Sequence, residues 1–289
     1  MFFPKFKKEE LIDSTKLKKA ILYLIWLICC LAITAFIIGP FLWMLLSSFK
    51  TPTELLRFPP TWIPKGWTLE NFGYAWRVLN WPRMFLNTAF LVGTITILTL
   101  FFNSLAGFAF AKMHFPGRRT LFFLVIAALL IPVQIPLIPR FLMMAKIGLV
   151  GTFVPLILFA VCQAFHTFLF RQFFMGIPDE IIESAKIDGA SYFRCYWSLV
   201  VPLSKPVFAA LAIITFIWHW NAYLYPMIYL LDPKMHTVQI GLALFQSEYG
   251  IKFGPLMAAA TFVAVPTTIV YLVLQRHFRY GITLTGVKG

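Results

Sequence analysis

The sequence predicts an all-α integral membrane protein with six transmembrane helices and, between the fourth and fifth, a structured helix-turn-helix loop on the cytoplasmic side. Three observations carry this. Apolar residues make up 60% of the 289 residues and mean hydropathy is +0.80, where soluble domains are roughly half apolar. Six runs of at least 20 residues lack Asp, Glu, Lys and Arg, and the next longest such run, 235–247, has 13. A helix needs about 20 residues to cross the hydrocarbon core. Lys and Arg also alternate along the chain: 16 lie before the first run and after the second, fourth and sixth, and nine lie in the other three segments. By the positive-inside rule both termini and the loop are then cytoplasmic.

The chain is expected to divide into a basic cytoplasmic tail at 1–19, a six-span domain at 20–276 and a cytoplasmic tail at 277–289. The spans are 20–49, 84–111, 120–139, 147–170, 206–231 and 253–275. They are continuously apolar rather than alternating with period two, which favours helices over a barrel. The first is too long for a signal-peptide core and no small-residue cleavage site follows it, so it is expected to remain as an anchor. The first external loop is rich in Pro and Trp, and Trp62, Trp67, Trp76 and Trp81 suit a membrane interface. In the third span Pro132, Pro136 and Pro139 each remove a helical hydrogen bond, so this span should be bent or broken. Pro155, Pro226 and Pro266 should put milder kinks elsewhere.

The loop at 174–203 carries unusual detail. Pro178 suits a first helical turn, and Asp179 and Glu180 put negative charge at the positive end of that helix. Ile181 and Ala185 share a face. Gly189 can take the left-handed conformation that ends a helix, and Ser191 can cap the next. Tyr192, Tyr196, Leu199 and Val200 form an apolar stripe, and Pro202 is expected to stop it. An amphipathic hairpin resting on lipid is the simpler alternative. Against it stand Asp179, Glu180, Glu183 and Asp188, which fit a negative leaflet badly and a protein partner well.

The stretch "ESAKIDGASYFRCYWSLVVP" resembles the EAA signature of ABC importer permeases: Glu-Ala-Ala, three residues, Gly, nine residues, Ile-x-Leu-Pro. Glu183, Ala185, Gly189 and Pro202 match in type and spacing, whereas Ser184, Leu199 and Val201 depart conservatively. The likeness extends through "PLSKPVFAALAIITFIWHWNAYLYPMIYL" to the tail "TLTGVKG", and from the first span to the last residue the chain is similar to carbohydrate-uptake permeases of the maltose-transporter type, the shorter six-helix subunit. The resemblance implies that the loop forms coupling helices seated in a separate cytoplasmic ATPase, with Glu183, Ser184, Ala185, Asp188, Gly189, Ala190 and Pro202 as the coupling residues. It further implies a second, related permease, two ATP-binding subunits holding ATP and Mg, an external solute-binding protein, and the inner membrane of a bacterium or archaeon. On the same grounds the stretch "TLTGVKG" at 283–289 is expected to make a second ATPase contact.

Missing motifs agree with an external engine. There is no GxxxxGK[ST] phosphate loop. The spans hold no Asp or Glu, the usual carriers in ion-coupled transporters. His166 and His219 fit interhelical hydrogen bonding better than proton relay. No HExxH, GxSxG or paired carboxylates point to catalysis, so no catalytic residue, metal site or cofactor is expected in this chain. Basic charge flanks the spans and forms no separate domain, which disfavours nucleic acid. Cys29, Cys30, Cys162 and Cys195 lack zinc-ligand spacing and read as structural.

Solute-path candidates are the polar and aromatic residues at depth: Asn103, Gln134, Trp218, Trp220, Asn221 and Tyr223. Sugars bind by aromatic stacking with a few polar groups. Helix packing accounts for the same residues equally well, and the solute site can lie mostly in a partner permease. Polyols and glycerol phosphate remain alternative solutes, and a passive channel or uncoupled scaffold is the alternative from another class.

Overall fold

The computed structural model describes residues 8–248 and 252–282. Every regular element among them is helical. In chain order these are α1 (Lys8–Ser48), α2 (Pro52–Leu55), α3 (Glu70–Val78), α4 (Trp81–Lys112), α5 (Arg118–Ala128), α6 (Leu137–Lys146), α7 (Val154–Val161), α8 (Ala164–Met175), α9 (Asp179–Ile187), α10 (Tyr192–Cys195), α11 (Val201–Leu203), α12 (Lys205–Trp220), α13 (Leu224–Tyr229), α14 (Val238–Glu248) and α15 (Phe253–Ile282). A π turn at Tyr196–Val200 joins α10 to α11, and a 3₁₀ turn at Pro233–Met235 precedes α14.

Four helical segments are long and apolar enough to cross a membrane: Ile21–Ser48, Trp81–Lys112, Val154–Met175 and Phe253–Gln275. Counting the bent pair Tyr192–Leu203 and Lys205–Trp220, which meet at 80°, makes five. The sixth expected span, 120–139, is not one helix. It is α5, then an irregular stretch at 129–136, then α6. Pro132 and Pro136 fall in the break, where a missing N–H and a ring clash forbid helix. Pro139 sits in the first turn of α6, where its missing N–H costs nothing. Pro155 likewise starts α7 rather than kinking it.

The chain divides into two compact units, one of Met1–Tyr74 with Lys252–Thr261 and one of Ala75–Ile251 with Phe262–Gly289. In the first, the Asn71 side chain closes the end of α1 by donating to the carbonyls of Ser48 (2.9 Å) and Lys50 (2.8 Å). Lys50 is buried, lies 4.1 Å above the Trp43 ring and donates to the Thr61 carbonyl. Glu54 accepts from the Thr61 hydroxyl (2.7 Å) and the Lys65 N–H (3.0 Å), and these bonds hold its carboxyl below the usual range.

The second unit is built on α4. Gly107 makes this possible: a Cβ there would lie 2.6 Å from Phe170 Cβ and 3.0 Å from the Arg171 nitrogen, so α8 crosses at backbone distance. Around the crossing Phe108, Phe170, Phe174, Ile182, Tyr196 and Leu211 form one buried cluster. A second cluster holds Leu91, Ile95, Met144, Leu156, Tyr229 and Ile240. Trp81, read above as an interface residue, is fully buried: its Nε1 donates to the Ala75 carbonyl (2.7 Å) and its ring meets Phe262 edge-on at 4.9 Å. Its position at the first residue of α4 turns it inward, whereas Trp62, Trp67 and Trp76 are exposed.

Candidate functional site

The loop folds as a helix, a turn and a helix, each piece fixed by local chemistry. Pro178 stands at the N-cap, one residue earlier than expected, and Asp179 and Glu180 fill the first turn of α9. The helix ends at Asp188 with Gly189 at φ +83°. The Gly189 N–H bonds the Lys186 carbonyl (3.0 Å) and the Ala190 N–H bonds the Ala185 carbonyl (2.9 Å). This is a Schellman motif, and the Ala185 and Ala190 methyls that accompany it pack on the core. Ser191 then caps α10, its Oγ accepting from the Arg194 N–H at 3.3 Å. The ammonium of Lys186 donates to the Tyr192 hydroxyl (2.9 Å), which ties α9 to α10 and raises the Lys186 pKa.

Pro202 does not stop the second helix. The helical run continues through Leu203 and breaks at Ser204. The π turn explains this: the Val201 N–H reaches back to the Tyr196 carbonyl, five residues away. That wider register reaches the residue before the proline, relieving the clash a proline ring makes with the carbonyl four back. Pro206 then opens α12 in its first turn.

The loop has two distinct faces. Ile182, Cys195, Tyr196 and Val200 are buried, and the Tyr196 hydroxyl lies 2.7 Å from Ser104 Oγ on α4. Glu183, Ser184, Asp188 and Gly189 are exposed, together with Ile187 at 87% and the rings of Phe193 and Trp197. Those three apolar side chains add to the expected residues. Amphipathic spacing alone does not mark them, because α9 and α10 are too short to show a clear period.

A further residue pins the loop. Lys112, the last residue of α4, donates to the Ile177 carbonyl and to Asp179 Oδ1, both at 2.5 Å. Its side chain is 3% exposed and that of Asp179 73%. In the sequence Lys112 counts only as one more positive-inside charge. The available signal was a lone lysine ending an apolar run, with an acidic helix start elsewhere to receive it.

The path candidates separate into different settings. Asn103 is buried with all its hydrogen bonds used: Nδ2 donates to the carbonyls of Thr99 (2.7 Å) and Val161 (2.6 Å), and Oδ1 accepts from the Gln163 N–H (3.0 Å) and the Thr167 hydroxyl (2.9 Å). It thereby bridges the break between α7 and α8. Trp220 is buried and donates to the Val263 carbonyl (3.0 Å). Asn221, exposed, accepts from Gln239 at 3.1 Å. Gln134 and Tyr223 are exposed within the breaks at 129–136 and 221–223. Trp218 lines a cavity of about 460 Å³ together with Arg140, Phe159, Gln163, His219 and Tyr225. Among the described residues no three His, Cys, Asp or Glu side chains gather as metal ligands would.

Residues 103–283 match the family model described as binding-protein-dependent transport system inner membrane component. The chain is 37% identical over 263 residues to the arabinooligosaccharides transport system permease protein of Halalkalibacterium halodurans, covering 89% of this chain and 94% of that protein. It is 35% identical to the diacetylchitobiose uptake system permease protein of Streptomyces coelicolor, covering 83% and 81%. It is 34% identical to the sn-glycerol-3-phosphate transport system permease protein of Yersinia pestis, covering 80% and 85%. Its fold is similar to that of a chain in the crystal structure of a bacterial ABC transporter that imports the acidic polysaccharide alginate, with TM-score 0.75, 21% identity and coverage of 96% and 100%.

Proposed function

This chain belongs to the family of binding-protein-dependent transport system inner membrane components, and on that premise we propose that it is the permease subunit of an ABC importer that carries a saccharide inward. Its loop at 174–203 couples solute movement to ATP hydrolysis by separate subunits. A second, related permease completes the path, two ATP-binding subunits hold ATP and Mg, and an external binding protein delivers the solute. Both termini and the loop face the cytoplasm. The saccharide reading draws on relatives named for arabinooligosaccharides and diacetylchitobiose. The relative named for sn-glycerol-3-phosphate supports a second reading, a glycerol-phosphate solute moved by the same machine.

The observation that carries the coupling role is the loop's two-sidedness. One face is anchored in the core by Ile182, Tyr196 and Val200 and pinned by Lys112, so the loop moves with α4 and α8 rather than independently. The other presents Ile187, Phe193 and Trp197 among Glu183, Ser184 and Asp188. Apolar anchors ringed by polar groups match the anatomy of a protein interface, and the carboxylates disfavour an anionic leaflet. Glu183, Ser184, Ala185, Asp188, Gly189, Ala190 and Pro202 then act in two ways: the exposed members meet the ATPase, while Ala185, Gly189 and Ala190 shape the turn. Among the path candidates, Gln134, Trp218, Asn221 and Tyr223 have surface left for a solute.

Affinity purification of the full-length chain from its native cells tests this. ATP-binding subunits and a second permease should accompany it, and solute uptake into vesicles should require ATP. Uptake by the chain without any ATPase would instead establish a passive channel.

A further inference from the structure

Three of the second unit's helix breaks converge. Val133 from the break at 129–136, Gln163 from 162–163 and Ala222 from 221–223 all line the cavity of about 460 Å³. Non-helical backbone at membrane depth is tolerated where it is buried in protein or borders a wet cavity. Small-molecule sites typically enclose about 300–1,000 Å³. The breaks are therefore placed where they make room, and the room is sized for a ligand.

The wall is chemically specific. Arg140 lies with its guanidinium carbon 4.9 Å from the Phe159 ring centroid, and that guanidinium has no ion-pair or hydrogen-bond partner among the described residues. The Tyr229 hydroxyl, also in the lining, is buried and likewise lacks a hydrogen-bond partner among the described residues. Trp218 and Phe159 add aromatic rings to the lining, and Gln163 and His219, 3.5 Å apart at their nitrogens, add polar groups. Arg140 is half-buried, its stem in the lining and its head reachable from the cavity, and a guanidinium fork fits a carboxylate or phosphate with two parallel bonds. Aromatic faces with sparse polar groups suit sugar rings.

We propose that this cavity is a solute subsite belonging to this chain, and that Arg140 reads an acidic group on a saccharide. The proposal rests on the permease reading and narrows its solute class to sugars bearing a carboxylate or phosphate. An oxyanion could also come from a lipid headgroup, and the test separates the two sources.

Wild-type chain, Arg140→Gln and Arg140→Lys are placed in nanodiscs of purely zwitterionic lipid and, separately, of lipid with added phosphatidylglycerol. Radiolabelled digalacturonate, maltose 6′-phosphate and the neutral methyl ester of digalacturonate are the probes, measured by equilibrium dialysis. At least one acidic probe should bind the wild type at least tenfold more tightly than Arg140→Gln, with Arg140→Lys between them and the ester indifferent to both changes. Equal binding of both acidic probes to wild type and Arg140→Gln overturns the proposal, as does binding of neither probe to wild type. Phosphatidylglycerol co-purifying in proportion to Arg140, without any change in acidic-probe binding, overturns it in favour of lipid. Thermal midpoints of the variants establish that they fold. If the chain retains its ATP-binding subunits while Arg140→Gln changes nothing, only the subsite fails and the permease reading stands.

Discussion

Two stretches of one helix, α4, are built to opposite ends. From Asn103 to Lys112 every polar side chain that faces inward is answered: Asn103 by four hydrogen bonds, Ser104 by Tyr196, Lys112 by Ile177 and Asp179. Gly107 lets α8 approach until backbone meets backbone. From Leu91 to Ile95 the same helix borders the cavity, which Arg140 and Tyr229 also line with a guanidinium and a hydroxyl that have no hydrogen-bond partner among the described residues. On another face of the helix, away from the cavity lining, a Cβ added at Gly93 meets nothing within 4 Å, while one at Gly107 meets Phe170 at 2.6 Å. The first stretch binds the loop to the spans as one body, and the second leaves space beside it.

The sharpest way to break this comparison is Asn103→Leu. It leaves the Gln163 N–H and the Val161 carbonyl unpaired in the core, at about 1–3 kcal/mol for each unsatisfied group. Purified protein should unfold at clearly lower temperature, and an unchanged melting curve would show that Asn103 does not hold the α7–α8 break. Next comes the glycine pair. Gly107→Val should cost about 1–3 kcal/mol through overpacking, whereas Gly93→Ala should be neutral or slightly stabilising. Equal effects in a denaturation series would erase the contrast between the stretches. Smaller again is Lys112→Met, which removes the pin and keeps the apolar stem. Hydrogen bonds to charged groups contribute about 1.5–3 kcal/mol when buried, but Asp179 is mostly exposed, so the loss should sit at or below the low end. Hydrogen exchange along 179–187 should quicken several-fold with α4 itself unaffected. Unchanged exchange there would remove Lys112 from the linkage.

How much of this was legible in the sequence differs between the two stretches. The loop was open to reading because its geometry is written in local chemistry: Gly189 for a positive φ, Ser191 for a cap, an acidic first turn, and spacing similar to a known signature. The break at 129–136 could be read from Pro132 and Pro136 for the same reason. The break at 162–163 could not, because neither Pro nor Gly marks it. Asn103, some 60 residues earlier, supplies the hydrogen bonds that replace the helical ones. Likewise nothing near Pro202 announces the π turn that carries the helix past it. Arg140 reads as a flanking charge until the fold sets it over Phe159 in the lining of the cavity. Tertiary partners decide these positions, and a one-dimensional pattern does not carry them.

The central claim is that the loop transmits force because its turn is fixed, and Gly189→Val tests it most directly. At φ +83° a β-branched residue is strained by about 1–3 kcal/mol, while the absence of any atom within 4 Å of the added Cβ means that conformation, not crowding, is what changes. Gly189→Asn serves as control, since Asn tolerates the left-handed region. The two variants are purified with whatever ATP-binding subunits accompany the wild type, and ATP hydrolysis and solute uptake are measured in vesicles. The Val variant should lose ATPase subunits, or keep them with hydrolysis no longer linked to uptake, and the Asn variant should stay near wild type. Normal association together with normal ATP-driven uptake in the Val variant would contradict the claim.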